Sequence, residues 1–230
     1  MKTIGLIGGM SWESTVSYYQ VINARINECL GGLHSAQCLL YSVDFQPIED
    51  CQRKGQWKES GVILAQAALS LERGGADFIV ICTNTMHKVF DQVQAAVSIP
   101  ILHIADATIK VVQQQKLKRI GLLGTAYTME QDFYKGKIVQ AGIDVLIPEK
   151  EERQEINRII FSELCRGIIF EASKEYYLQA VKNLSARGCE GVIMGCTEIG
   201  LLLHQEDTNI PLFDTAEIHA SSAAALALNG

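Results

Sequence analysis

A short polar segment, Cys196-Thr197-Glu198, is the part of this chain best equipped for chemistry. It follows the apolar run at 191–194, which predicts a strand, so we expect the Cys196 thiol at a strand end near a helix N-terminus. That environment lowers the pKa of a thiol and provides a thiolate near neutral pH. We expect Glu198 to orient the thiol or to accept its proton. The alternatives are a thiol packed against the sheet and a glutamate that only favours the first helical turn.

A second polar segment, Thr83-Asn84-Thr85-Met86-His87, follows another apolar run. Thr83 and His87 are four residues apart and share one face if this turn is helical. Asn84 and Thr85 are natural helix caps whose side chains or amides could bind a carboxylate. The alternatives are capping alone for Asn84 and Thr85 and a packing role for His87. The remaining histidines lack such a context and are predicted to be structural: His34, His103, His204 and His219.

Two glycine turns also follow predicted strands. Gly8-Gly9-Met10-Ser11 opens a helix, so its backbone N–H groups could hold an anion, with Met10 and Ser11 as substrate contacts. The turn Gly124-Thr125-Ala126-Tyr127-Thr128 mirrors it, and the hydroxyls of Thr125 and Thr128 could bind substrate. The alternatives are a tight turn that needs glycine for steric reasons and simple helix capping. Neither turn has the Gly-x-Gly-x-x-Gly pattern of a nucleotide site.

An internal duplication relates these segments to one another. Three echoes occur in one order at offsets of 111 to 116 residues: 4–8 with 120–124, 77–85 with 190–198, and 99–102 with 210–213. Such a period is far longer than that of solenoid repeats and argues for two similar half-domains.

Alternating strand and helix patterns predict an α/β protein. The expected architecture is two doubly wound parallel-sheet half-domains related by a pseudo-twofold axis, with the active site in the cleft between them. The first half-domain is predicted at 1–105 and the second at 106–214, and the final helix at 215–230 is expected to pack back on the first. Ligands of such sheets bind beyond the carboxyl ends of the strands, where the four polar segments lie.

Composition and charge exclude several classes of function. The 230 residues carry a net charge of −6 without a basic cluster, so nucleic acid and anionic membranes are poor partners. No apolar run reaches the ~18 residues of a membrane helix. The N-terminus is predicted to go straight into a strand, so we expect no signal peptide. Seven cysteines without zinc-ligand spacing indicate reduced thiols in a cytoplasmic protein without a metal site. Five are predicted to be core or half-buried: Cys29, Cys38, Cys51, Cys165 and Cys189.

Together the four motifs resemble the aspartate/glutamate racemase family, whose cofactor-independent members use two catalytic cysteines. The resemblance spans nearly the whole chain: Gly-Gly-Met near the start, Asn-Thr-x-His from Asn84, Gly-Thr-x-x-Thr from Gly124 and Gly-Cys-Thr-Glu from Gly195. It implies a pseudosymmetric two-domain amino-acid racemase that needs no cofactor and forms a homodimer.

At the first catalytic position this chain departs from the family. The family motif reads Cys-Asn-Thr, so Cys196 matches the second catalytic cysteine while Thr83 stands in place of the first. Cys82 lies one residue early, and strand alternation would point it to the other side, unless a local bulge restores it. Acidic-substrate members also carry a Pro-Asp-Arg motif whose arginine grips the distal carboxylate. Arg53 is the displaced candidate here, and Lys174 lies where similar proteins place a cationic contact. Solvated surface charges are the alternative for both.

Racemisation removes a proton from the α-carbon and returns one to the opposite face, so two acid/base groups must flank the substrate. Cys196 can supply one. The hydroxyl of Thr83 is not deprotonated near neutral pH and is expected to hydrogen-bond or to relay a proton from water or His87. Backbone amides at Asn84, Thr85 and Thr197 are expected to stabilise the carbanion around the substrate carboxylate.

In the family that this chain resembles, the second cysteine works on the L-enantiomer. The resemblance therefore implies a racemase of L-aspartate or L-glutamate with better activity from the L side. Other enzymes of the same scaffold stay open: a broad-specificity racemase of neutral amino acids, a hydantoin racemase, a maleate isomerase or a decarboxylase. A non-catalytic binding protein is the remaining alternative, because the first cysteine is absent.

Overall fold

The computed structural model describes residues 1–229 and divides into two compact units. Unit one comprises Met1–Ile104 and the end of the chain from His219, and unit two comprises Ala105–Ile218. The interpretation of the two units as duplicated half-domains stays a prediction.

Unit one contains a four-stranded parallel sheet in the order β2-β1-β3-β4. Its strands are β1 (Ile4–Gly8), β2 (Cys38–Ser42), β3 (Phe78–Ile81) and β4 (Ile101–Leu102). Its helices are α1 (Trp12–Leu30), α2 (Phe45–Arg53), α3 (Trp57–Arg73) and α4 (Phe90–Gln94), and a 3₁₀ helix runs over Thr85–Val89. Every residue of β1 and β3 is buried, which explains their continuous apolar sequences.

Unit two repeats this strand order with β6-β5-β7-β8, again all parallel. The strands are β5 (Arg119–Gly124), β6 (Asp144–Leu146), β7 (Gly191–Gly195) and β8 (Leu212–Asp214). The helices are α5 (Ile104–Gln114), α6 (Ala126–Glu130), α7 (Asp132–Gln140), α8 (Lys150–Ser162), α9 (Glu171–Ala186) and α10 (Thr215–Leu228). Of these, α5 starts at the last residue of unit one's first segment, and α10 carries the chain back into unit one at His219. The predicted α/β class with two parallel sheets is confirmed.

Three local predictions were wrong. The helix-period pattern at 130–141 predicts one continuous helix, but Gln131 has extended backbone angles and separates α6 from α7. No element was predicted at 45–53, where α2 carries Pro47 in its first turn, a position that tolerates a missing N–H. Cys29 is exposed near the end of α1 rather than half-buried. Among residues 1–229, no helix combines the length and apolar character that a membrane crossing requires.

The turn after β1 depends on Gly9 and Thr15. Gly9 has a φ of +91°, and its N–H donates to Thr15 Oγ1 at 2.9 Å, while the Thr15 hydroxyl donates to the Ser11 carbonyl at 2.7 Å. A Cβ at Gly9 would lie 2.2 Å from the carbonyl oxygen of Val43. Glycine is therefore required here both for its backbone angle and for the close approach of another backbone segment.

We expect Gly9→Ala to destabilise the protein more than Gly75→Ala. Gly75 has a similar φ of +94°, but a Cβ there meets no atom within 4 Å, so this control carries only the conformational cost of about 1–2 kcal/mol. The clash at Gly9 should add about 1–3 kcal/mol. Urea unfolding at equilibrium measures both, and equal losses would contradict the steric argument.

Candidate functional site

Strand register assigns equivalent positions to the two polar segments. In unit one Ile7 pairs with Ile81, and in unit two Leu123 pairs with Met194. Ile7 and Leu123 occupy the same place in the repeated sequence of β1 and β5. Counting two residues onward from Ile81 and from Met194 gives Thr83 and Cys196. Thr83 in unit one therefore holds the position that Cys196 holds in unit two.

The thiol of Cys196 lies in a small buried hydrogen-bond cluster directly after β7. Its Sγ donates to Glu198 Oε2 at 3.0 Å, and the hydroxyl of Thr197 donates to the same oxygen at 3.0 Å. All three residues are buried. This carboxylate oxygen thus orients the thiol and is positioned as the acceptor of its proton.

The predicted lowering of the Cys196 pKa was wrong. Burial, followed by the negative charge of Glu198, raises the pKa of the thiol well above its usual value, and the neighbouring Cys165 adds to the effect. The element that follows is a three-residue 3₁₀ helix, Ile199–Leu201, rather than the α-helix that the prediction assumed. In this environment Cys196 rests as a thiol, so a thiolate has to be generated when it is needed.

In unit one the corresponding turn is equally buried but carries no charge. Thr83, Asn84 and Thr85 are buried, and Thr85 begins the 3₁₀ helix. Asn84 has helical backbone angles and makes no side-chain capping bond, so its predicted capping role was wrong. Cys82 is fully buried with its Sγ 3.8 Å from the Val80 carbonyl, and burial raises the pKa of its thiol. The register aligns Cys82 with Gly195, and no bulge brings it to the position of Cys196.

His87 is bound to the backbone through both of its ring nitrogens. Its Nε2 accepts from the N–H of Ile104 at 3.1 Å, so the proton is on Nδ1, which donates to the Thr83 carbonyl at 2.8 Å. A proton relay needs a ring nitrogen that can exchange its partner during the reaction. The predicted acid/base role of His87 is therefore replaced by a structural one.

The glycine turns place their polar residues at helix starts. Ser11 caps α1 by accepting from the N–H of Ser14 at 3.3 Å, and Thr125 caps α6 by accepting from the N–H of Thr128 at 3.2 Å. The hydroxyls of Thr125 and Thr128 also lie 3.2 Å apart. Met10 is buried in the hydrophobic core of unit one, so its side chain packs there and the predicted substrate contact is not supported.

The two predicted cationic contacts are both ion-paired. Arg53 is exposed at the end of α2 and pairs within its own helix with Asp50 at 2.6 Å and Glu49 at 3.7 Å. Lys174 on α9 is less exposed than predicted for a solvated charge and pairs with Asp207 at 2.7 Å. That pair raises the pKa of Lys174 and lowers the pKa of Asp207.

Some residues near these segments had no distinguishing sequence signal. Tyr177 on α9 is fully buried, and its hydroxyl donates to the Ile156 carbonyl at 3.3 Å. Burial and the neighbouring Cys196 raise its pKa. Gln52 on α2 is buried, and its amide nitrogen lies 3.1 Å from Met86 Sδ. Tyr177 has the sequence pattern of an ordinary helix position, and no element was predicted around Gln52, so neither residue stood out. Within residues 1–229 no group of three or more His, Cys, Asp or Glu side chains could hold a metal ion.

We expect Glu198→Gln to lower the pKa of Cys196, because it removes the carboxylate charge that favours the thiol form. Alkylation of Cys196 by iodoacetamide near pH 8 should then become several-fold faster, as followed by mass spectrometry. Thr197→Val is the matched control, since it removes the other hydrogen bond to Glu198 and leaves the charge. The exposed Cys29 of the same molecule serves as internal reference. An unchanged or slower reaction at Cys196 would contradict the electrostatic explanation.

Comparisons with known proteins identify the family of this chain. A sequence model of the Asp/Glu/hydantoin racemase family matches residues 7–223. The chain is 24% identical over 222 residues to the broad specificity amino-acid racemase RacX of Bacillus subtilis, covering 95% of each chain.

Two solved structures extend the likeness to the fold. The crystal structure of a proposed Asp/Glu racemase from Yersinia pestis is 54% identical, with a TM-score of 0.91 over 99% of this chain and 100% of that one. An aspartate racemase homologue from Pyrococcus horikoshii is 38% identical, with a TM-score of 0.83 over the same shares. With a family match over most of its length and a relative of this identity, the chain belongs to the Asp/Glu/hydantoin racemase family of isomerases.

Proposed function

We propose that this protein is a cofactor-independent amino-acid racemase that acts on L-aspartate or L-glutamate and works better from the L side. The observation that carries the proposal is the pair of equivalent strand-end positions, Thr83 and Cys196, of which only Cys196 has a carboxylate 3.0 Å from its reactive atom. A two-base reaction on such a pair removes a proton more readily on the side of the thiol than on the side of the hydroxyl.

On the L side the reaction starts at the thiol. Glu198 Oε2 accepts the Sγ proton, and the resulting thiolate takes the α-proton of the substrate. The electron pair of the broken C–H bond stays on the α-carbon and is delocalised into the substrate carboxylate. Backbone N–H groups of Asn84, Thr85 and Thr197 would stabilise that charge.

Inversion is completed from the side of Thr83. Its hydroxyl, or a water molecule bound to it, donates a proton to the α-carbon and becomes an alkoxide or a hydroxide. The proton held by Glu198 then passes through solvent to that group, which restores the starting state. Because a hydroxyl is a poor base, proton removal from the D-enantiomer is the slow direction. The equilibrium constant is unaffected, since an enzyme changes rates only.

An acidic substrate would place its distal carboxylate on a cation. Lys174 is our candidate for that cation. The substrate carboxylate would then replace Asp207, which now pairs with Lys174 at 2.7 Å. Ser11, Thr125 and Thr128 remain candidates for hydroxyl contacts, although each already takes part in helix capping.

A broad-specificity racemase of neutral amino acids is the second candidate. Arg53 and Lys174 are both neutralised by carboxylates of the same unit, which leaves no uncompensated cation among the residues predicted to bind a distal carboxylate. The relative in Bacillus subtilis is named a broad specificity enzyme.

The location and assembly of the protein are also proposals. Free thiols at all seven cysteines suit a cytoplasmic protein. A homodimer is supported by apolar side chains exposed on α1 and β2, since contiguous exposed apolar surface commonly marks an interface: Trp12, Val16, Tyr19 and Leu40.

We expect exchange of the α-proton in D₂O, followed by NMR, for L-aspartate or L-glutamate in a panel of L- and D-amino acids. Cys196→Ala should abolish it because the base is removed. Exchange with neutral amino acids only would favour the broad-specificity candidate. An absence of exchange in the wild-type protein, or exchange that survives in Cys196→Ala, would refute the mechanism.

Thr83→Cys should accelerate proton removal from the D-enantiomer by about tenfold or more, because it supplies a titratable thiol at the second position. Thr83→Ser is the matched control, since it keeps a hydroxyl there. Exchange rates of D-aspartate and D-glutamate give the comparison. No gain in a folded Thr83→Cys protein would count against Thr83 as the second position.

A further inference from the structure

Unit one contains a buried cluster of three histidines that come from distant parts of the chain. His87 lies on the 3₁₀ helix, His103 between β4 and α5, and His219 on α10, and all three are buried. The ring of His87 is centred 4.5 Å from that of His103 and 5.9 Å from that of His219. Tyr18 meets His219 edge-on at 5.7 Å, and Phe90 contacts His87 and His103.

Hydrogen bonds define the protonation of two of these rings. His87 carries its proton on Nδ1, as its bonds to Thr83 and Ile104 require. His219 Nε2 lies 3.0 Å from the Leu102 carbonyl, which can only accept, so His219 is protonated at Nε2 and accepts from the Tyr18 hydroxyl at Nδ1 over 2.9 Å. Both rings are neutral, and in each of them both nitrogens are used.

The hydrogen bonds of the cluster reach the two places where the chain leaves and re-enters unit one. The outgoing segment ends at Ile104, whose N–H is held by His87, and the Leu102 carbonyl just before it is held by His219. The returning segment begins at His219 itself. Through the Nδ1 bond of His87, the same cluster holds the carbonyl of Thr83.

We propose that His87 and His219, two neutral hydrogen-bonded rings in edge contact, are positioning residues that tie the Thr83 turn to both chain crossings of unit one. For its effect on reaction, this inference rests on the proposed role of Thr83. The tether itself does not depend on that role. Neither ring moves a proton to substrate, and the contribution of each is to hold Thr83 in place.

Acid weakens the hydrogen bonds of this histidine cluster. The groups that face His219 are Tyr18 from α1 and His87, and those that face His87 are His103 and His219. Burial and then the nearby His87 lower the pKa of His219 from 6.5 to about 3. Because the folded value lies below the unfolded one, the stabilising contribution is complete above pH 6.5 and is lost as the pH falls toward 3. Between pH 6.5 and pH 3, protonation of His219 raises the unfolding equilibrium constant by at most about tenfold for each unit that the pH falls.

Two variants of His87 separate its two bonds. The amide of His87→Asn can replace Nδ1 and donate to the Thr83 carbonyl, while the longer His87→Gln can replace Nε2 and accept from the Ile104 N–H. Tyr18→Phe removes one hydroxyl from the cluster with little change in shape, and it remains informative where a His87 variant folds poorly. His34→Asn is the matched control, since His34 is exposed and outside the cluster.

The first readout is hydrogen–deuterium exchange by mass spectrometry at pH 7.5, which needs no activity. Each His87 variant loses one of the two bonds, and it should speed hydrogen exchange in all three peptides that cover 83–89, 102–106 and 216–221. Tyr18→Phe should have the same effect on these peptides, and His34→Asn should leave them unchanged. Faster exchange at the site of substitution alone would overturn the tether.

The second readout is the ratio of inversion to α-proton exchange for the L-substrate. Exchange uses Cys196, Glu198 and the carbanion-stabilising amides but not the Thr83 hydroxyl, whereas inversion needs that hydroxyl as well. His87→Gln should therefore lower the ratio by roughly tenfold, and His87→Asn should lower it less. A parallel fall of both rates would show a merely structural role and overturn the positioning role. Coupled hydrogen exchange in a protein that lacks racemase activity would uphold the tether and refute the proposed function instead.

Discussion

The parallel ladder register is the constraint on which the other features depend. Pairing of Ile7 with Ile81 and of Leu123 with Met194 sets which residue comes first beyond the sheet in each unit. A slip of one residue would exchange Thr83 for Cys82 and Cys196 for Gly195, and would turn the reactive side chains to the other side of the strand. The fully buried sequences of β1 and β3 prevent that slip, because every side chain along them already has packing neighbours.

Given that register, electrostatics divides the two strand ends into different chemical environments. Unit two places a buried carboxylate beside the thiol, which keeps the thiol protonated at rest. A substrate ammonium group would act in the opposite sense, since a nearby positive charge favours the thiolate. Under the proposed function, arrival of the substrate would itself activate Cys196. Without substrate the thiol would be protected from alkylation and oxidation, which both require the thiolate.

Much of this could be predicted from the sequence, and the failures share one cause. The repeat offset already aligned Thr83 with Cys196, because duplication preserves spacing along the chain. The pKa of Cys196 was predicted in the wrong direction, because it depends on burial and on a distance of 3.0 Å to a carboxylate. For His87 the sequence left an acid/base role and a packing role both open for a related reason: its partners Ile104 and His219 lie far away in sequence, and no local pattern signals their contact.

In the proposed mechanism, the two units contribute different capacities to one reaction. The Cys196 segment has a thiol beside a carboxylate that can accept its proton, whereas the Thr83 turn is held by the neutral ring of His87, whose two nitrogens are both bound to backbone groups. A proton removed by Cys196 can return from the same face without any help from Thr83, so exchange with solvent is the easier outcome and inversion the harder one. Fixing the Thr83 hydroxyl by its own main chain then matters more than it would for a thiol, because a poor acid compensates for its weakness only by position.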